Sequence, residues 1–302
     1  MKNILFPCLL LLSFFFVSCE DDDPIAPDPV QEFPNTALIH TTAPGSVSAT
    51  VSDLEGKITD NGFTLVKTVN HAAAAEGAGL ELDPTQVIIF GNPTGGTQLM
   101  QQDQRIGIDL PLKILVWEDV TGTTQTSYYN AETLTDRYDI DDADDLINNV
   151  NQTLADITGS GNPEEEGELL DAALFMRTKE TEMDADVLYD RVKAEIEERG
   201  FTVVQEVNHD AAAAEVNMQL RPTRLIIFGN PEGGTQLMQT ERTIAYDLPL
   251  KMLIWQEEDG DVNVSYYTVD YLANRYDLDG MDDLKDNIDQ MLSDIVDEAT
   301  QE

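Results

Sequence analysis

Most of this chain is written twice, and that limits what it can fold into. Gly62-Phe63-Thr64 recurs as Gly200-Phe201-Thr202, an offset of 138 residues. The same offset carries His71 onto His209, Pro93 onto Pro231, Trp117 onto Trp255 and Tyr138 onto Tyr276. Aligned without a gap, residues 62–141 and 200–279 share 43 identities in 80 positions. A period of that length is a domain and not a solenoid repeat. The spacing therefore predicts two homologous units, 36–158 and 174–298, joined by a linker over 159–173. That linker opens on glycine, proline and a run of glutamates, which are breaker and solvation signals.

Within each unit, Ala37 to Thr41 (and Phe175 to Lys179) reads as a short first strand. Val47, Val51, Leu54 and Ile58 then recur at helical spacing, as do Ala185, Tyr189, Val192 and Ile196. Strands are expected over Phe63–Val69, Gln86–Phe90, Leu112–Glu118 and Gln125–Tyr129, with an Ala-rich helical turn after His71 and a hairpin turn at Gly122. A closing helix carries Leu146, Val150, Leu154 and Ile157, echoed by Leu284, Ile288, Leu292 and Ile295. Each unit thus reads β-α-β-β-β-β-α with a small helical piece before the hairpin. That pattern is an antiparallel-rich α+β layer fold with helices on one face.

Charge and the amino terminus bound the setting. The 302 residues hold 17 Lys and Arg against 58 Asp and Glu, a net charge of −41. Nucleic-acid binding needs a basic footprint, so nucleic acid is excluded as a partner. Residues 1–18 read as an export signal, with Lys2 before an apolar run too short to span a bilayer. Phe16-Val17-Ser18-Cys19 is similar to a lipoprotein signal box, which makes Cys19 the expected lipidation site. Residues 19–35 then form an acidic, proline-rich tether. The expected location is the cell envelope, anchored in the outer membrane on its periplasmic or surface side. With Cys8 removed, Cys19 is the one thiol left, so an internal disulfide is excluded.

The densest shared run is Gly91-Asn92-Pro93-Thr94-Gly95-Gly96-Thr97-Gln98-Leu99-Met100-Gln101, which recurs as Gly229 to Gln239 with Glu232 in place of Thr94. It stands in order with a His before an Ala-rich stretch, Leu-x-Pro-Thr at 82–85 and 220–223, and Asp-Leu-Pro-Leu at 109–112 and 247–250. In these motifs the chain resembles the DUF302 domains, once in each unit. The resemblance implies two tandem TBP-like β-α-β(4)-α units. It carries no activity with it.

The candidate ligand-binding residues are Asn92, Gly95, Gly96, Thr97 and Lys113, with Asn230, Gly233, Gly234, Thr235 and Lys251. Glycines beside a helix start bring backbone N–H groups near an anion. The plainer reading is a tight turn needing glycine at positive φ, with a helix beginning near Thr97 and that Thr as its N-cap. His71 and His209 survive in both copies and are candidate acid–base groups beside Asn92/Asn230 and Asp109/Asp247. The plainer reading is a ring that fixes a nearby loop. Asp109, Pro111 and Lys113 share one face of an extended chain. They either hold a polar ligand, or the Asp closes the turn and the Lys faces solvent. The acid runs at 139–145 and 277–283 fail the EF-hand pattern and suit the start of the closing helix. No metal site and no cofactor are expected. Of the adjacent tyrosines Tyr128/Tyr129 and Tyr266/Tyr267, at most one of each pair is expected in a core, because neighbours on a strand point to opposite faces.

These readings favour a non-enzymatic binding module whose two units pair as an intramolecular pseudo-dimer around a small ligand or a protein partner. The alternatives are an enzyme using His71 and His209, and an acidic divalent-cation-binding surface protein.

Overall fold

The computed structural model describes residues 36–161 and 176–301. The signal segment, the tether with Cys19, Phe175 and most of the 159–173 linker lie outside the described residues. The first unit runs β1 (Ile39–Thr42), α1 (Val47–Asp60), β2 (Thr64–Asn70), α2 (His71–Gly77), β3 (Thr85–Gly91) and α3 (Pro93–Met100). A 3-10 segment (Gln104–Ile108), β4 (Leu112–Glu118), β5 (Thr124–Tyr128), α4 (Ala131–Asp136) and α5 (Asp144–Thr158) complete it. The second unit repeats the order: β6 (Met176–Thr181), α6 (Ala185–Glu198), β7 (Thr202–Asn208), α7 (His209–Glu215), β8 (Thr223–Gly229) and α8 (Pro231–Thr240). It ends with a 3-10 segment (Arg242–Tyr246), β9 (Leu250–Gln256), β10 (Val262–Tyr267), α9 (Val269–Arg275) and α10 (Asp282–Ala299).

Each unit holds its own five-stranded sheet, ordered β1-β5-β4-β3-β2 and β6-β10-β9-β8-β7, with antiparallel neighbours throughout. The α+β reading of two tandem units therefore holds. Local chemistry accounts for the long helices. Ser46 accepts from the N–H of Ala49 to start α1, whose Val47, Val51, Leu54 and Ile58 are buried. The chain leaves α1 through Gly62 at φ +80, a conformation glycine takes without strain. The short helices α4 and α9 were not expected. Asn130 and Thr268 cap them, but six or seven residues are too few for a periodic stripe to show.

The two faces of each sheet have different partners. Ile226, Phe228, Met252, Ile254, Val264 and Tyr266 pack against Leu188, Val192 and Ile196 of α6 and Leu292, Ile295 and Val296 of α10. The alternate residues Leu225, Ile227, Leu253 and Tyr267 point the other way, into a core continuous with the first unit. Both members of each tyrosine pair are consequently buried, at 1% exposure for Tyr128 and Tyr129 and 7% and 8% for Tyr266 and Tyr267. This corrects the expectation of one per pair. Alternation does send neighbours to opposite faces, but neither face is open to water.

The units touch through equivalent contacts with roles exchanged. The 3-10 segment of each lies on the sheet of the other, against β9 in one direction and β4 in the other. Gln101 Nε2 donates to the carbonyl of Gln219 at 2.7 Å, and Gln239 Nε2 to the carbonyl of Glu81 at 2.7 Å. Gln104 Nε2 reaches Thr223 Oγ1 at 2.7 Å, while Arg242 pairs with Asp83 at 2.9 Å.

Candidate functional site

Asp109 and Asp247 end the 3-10 segments, and Lys113 and Lys251 stand near the starts of β4 and β9. The expectation that Lys113 faces solvent is overturned: the side chains of all four residues lie between the units at 8% exposure or less. Lys113 Nζ lies 3.4 Å from Asp247, and Lys251 Nζ lies 3.5 Å from Asp109 and 3.8 Å from Asp247. Asp109 also accepts from Arg137 (2.9 Å), Tyr138 (2.8 Å) and Tyr267 (2.9 Å). Asp247 accepts from Tyr276 at 2.9 Å, with Arg275 3.2 Å away. The Arg275 guanidinium stacks over the Tyr129 ring at 4.3 Å.

Four cations thus surround two carboxylates. Burial pushes Asp109 up, but Arg137, Lys251, Lys113 and the Tyr138 hydroxyl together hold it well below the usual carboxylate range. Burial, reinforced by the neighbouring Lys251 ammonium, pushes Lys113 down despite both carboxylates. The cluster is an internal clasp in which both carboxylates are held by several donors, while Arg137 Nε and Arg275 Nε and Nη2 make no hydrogen bond.

Two apolar clefts of about 520 and 590 Å³ lie elsewhere. In the first, α3 and the leading half of α5 (Leu146, Val150) form one side with Phe63 and Val66. Val207, His209 and Ala212 of the second unit form the other. The second cleft reverses the roles: α8, Leu284, Ile288, Phe201 and Val204 face Val69, His71 and Ala74 of the first unit. Volumes of this size and an apolar lining with few polar groups suit a small organic ligand.

The glycine motif builds these clefts differently from either sequence reading. Pro93 occupies the first turn of α3, and Asn92 Oδ1 accepts from the N–H groups of Thr94 (2.9 Å) and Gly95 (3.4 Å). The N-cap is therefore Asn92, not Thr97, and Asn230 does the same for Glu232 at 2.8 Å. Gly95, Gly96, Gly233 and Gly234 lie inside helices and not at positive φ. Gly95 answers a close approach: a Cβ there would sit 3.1 Å from Leu146 Cδ1. Asn92 Oδ1 already holds the N–H groups of Thr94 and Gly95 that an anion would meet there. Of the two acid runs, Asp144 and Asp145 lie in the first turn of α5 and Asp282 and Asp283 in that of α10, but the N-cap positions are Ala143 and Met281, with no side-chain cap.

Each histidine faces the other unit's motif. His209 lines the cleft of Asn92 and Thr97, and His71 that of Asn230 and Thr235. Neither cleft is lined by Asp109 or Asp247, so the His, Asn and Asp of one unit do not share a cleft, as acid–base chemistry required. Burial pushes both rings down to about 4, against the backbone of Gly107 beside His209 and of Leu248 and Ala245 beside His71. His209 Nε2 lies 3.2 Å from the Gly107 carbonyl. His40 is pushed down to about 4 by burial as well, on the edge strand beside Ser127. Among the described residues no three His, Cys, Asp or Glu side chains gather as a metal-holding group.

Two groups of residues escaped the sequence reading. Arg137 and Tyr138 complete the clasp, and their identity with Arg275 and Tyr276 was the available signal. Leu146, Val150, Val207 and Ala212 wall the first cleft. A helical stripe does not say which half of it meets a core and which a cleft.

The family model described as "Domain of unknown function DUF302" matches residues 39–157 and again 177–298. The fluoride-specific ion channel FluC 1 of Brucella suis biovar 1 (strain 1330) is 34% identical over 133 residues, 44% of this chain and 50% of that protein. FluC 1 of Brucella abortus biovar 1 (strain 9-941) is 34% identical over the same length, 44% of this chain and 47% of that protein. The chain spans about half the length of the curated relatives it matches. A crystal structure of an uncharacterized conserved DUF302 protein from Bacillus stearothermophilus is 16% identical, covering 42% of this chain and 99% of that one at a TM-score of 0.39. With both units matched, the chain belongs to the DUF302 family and carries its domain twice.

Proposed function

We propose that this protein is a non-enzymatic binding module of the cell envelope, anchored through a lipid on Cys19, that holds small apolar ligands in its two inter-unit clefts. One observation carries the reading: each cleft is walled by apolar side chains of both units, and its histidine is buried and neutral near pH 7. The Phe16-Val17-Ser18-Cys19 box supports the lipid anchor. Among the described residues no helix is long and apolar enough to cross a membrane. Likeness to part of the Brucella channels brings this chain a shared module and no channel activity.

Titrating the unlipidated protein with the apolar dye Nile red tests the reading. Two equivalents are expected. Thr153→Trp in the first cleft and Met291→Trp in the second place an indole in the space and should each remove one equivalent. Absence of saturable binding, or two equivalents in both variants, overturns it. Lipid anchoring is tested separately by metabolic labelling with a palmitate analogue, which Cys19→Ala should abolish.

A further inference from the structure

The two clefts share their walls and differ at their openings. Phe63, Val207 and Ala212 of the first are matched, at the 138-residue offset, by Phe201, Val69 and Ala74 of the second. The charged residues are not matched. Glu215 is the one Asp, Glu, Lys or Arg lining the first cleft, and its equivalent is Gly77. Lys67 and Glu232, one of each sign, line the second, and their equivalents are Gln205 and Thr94. All three charged residues are exposed, so they belong to the openings and not to the buried walls. His209, Ala212 and Glu215 stand three apart on α7, so one face of that helix leads from the wall of the first cleft to its opening.

Resting on the apolar-ligand reading above, we infer that the first cleft is selective for charge: it takes a small molecule with an apolar body and one cationic group, an ammonium in the simplest case. The second cleft, with its two charges balanced, takes the same body without that selectivity. A head group held at the opening keeps most of its water, so the body enters the cleft without the cost of desolvating a charge. A cation about 4 Å from a carboxylate in a watery setting gains about fivefold in affinity. Salt screens that gain, and an anionic group would lose by the same interaction. The net charge of −41 draws cations to both openings, so it does not distinguish them. Glu215 does.

The test compares 2-naphthylmethylamine, protonated at neutral pH, with 2-naphthylmethanol, its uncharged counterpart. Calorimetry at low salt gives the affinity ratio of amine to alcohol on two unlipidated proteins. Met291→Trp leaves only the first cleft open, and Thr153→Trp only the second. The ratio should be about fivefold higher for the first cleft, and the excess should shrink as salt is added. Adding Glu215→Gln to the first protein should remove the excess. Adding Gly77→Glu to the second should create it, since a Cβ at Gly77 meets nothing within 4 Å. Equal ratios in the two proteins, an excess that survives Glu215→Gln, or a second-cleft ratio unmoved by Gly77→Glu overturns the inference. With the alcohol still bound, the apolar-ligand reading stands. Saturable binding of neither probe overturns both.

Discussion

Lys113 pairs with Asp247, 134 residues away, and not with Asp109, four residues before it. The exchange is mutual, since Lys251 reaches Asp109. The acid–base spacing repeated in each unit is thus a device for joining the units. Two carboxylates among four buried cations are the scarcer members, and the consequences of removing each kind differ.

Asp109→Asn strips the charge that faces Arg137 and Lys251, leaving buried cations uncompensated. A loss of about 3–5 kcal/mol is expected in urea unfolding. Lys113→Met removes a cation that burial already disfavours, and an apolar chain of similar length fills the space. It should fall within about 1 kcal/mol of the parent. Equal losses for the two variants would contradict this account of the clasp.

Stability should fall on mild acidification. His40, His71 and His209 ordinarily titrate near 6.5 and are pushed to about 4 in the fold. Between those values the unfolded chain binds protons that the folded chain does not, so stability drops as pH falls from 6.5 to 4. A shift of this size is worth at most roughly 3 kcal/mol for each fully buried ring. Chemical denaturation across that window measures the slope, which His209→Gln should flatten. A slope unchanged in His209→Gln would mean that the ring charges freely in the native state.

Gly107 is the tightest glycine at the unit boundary. A Cβ there would lie 3.2 Å from Leu253 Cδ1 and Met100 Sδ and 3.3 Å from Thr223 Cγ2. The equivalent position is Ala245, so its surroundings have adapted to a methyl where those of Gly107 have not. Gly107→Ala should be destabilising by about 1–2 kcal/mol through overpacking. A melting temperature at or above the parent's would refute this.

Residues 36–161 alone should not be a folded monomer. Their inner sheet face, the buried end of Lys113 and both inner clasp residues Asp109 and Arg137 would meet water. Light scattering coupled to size exclusion is expected to show a homodimer or aggregate. A stable, cooperatively folding monomer would mean that the interface is dispensable.

Much of the fold was legible from local patterns. The 138-residue offset, the period-two strands and the stripe from Val47 to Ile58 each report on chain a few residues at a time, and the elements they predict are present. The helix start was misplaced by four residues because Asn92 competes with Thr97 as a cap, and only backbone geometry shows which oxygen reaches the free N–H groups. The cleft and the clasp were not legible for a different reason. His71 shares a cleft with Thr235, and Lys113 meets Asp247, only because two inner sheet faces dock, and no spacing within one unit encodes that docking. By itself the sequence determined two copies of one α+β unit. The tertiary structure alone decided that Tyr128 and Tyr129 are both buried, that the ion pairs cross between units, and that each histidine completes its neighbour's cleft. Side-chain periodicity determines which residues share a face, while what covers that face depends on contacts between segments more than a hundred residues apart.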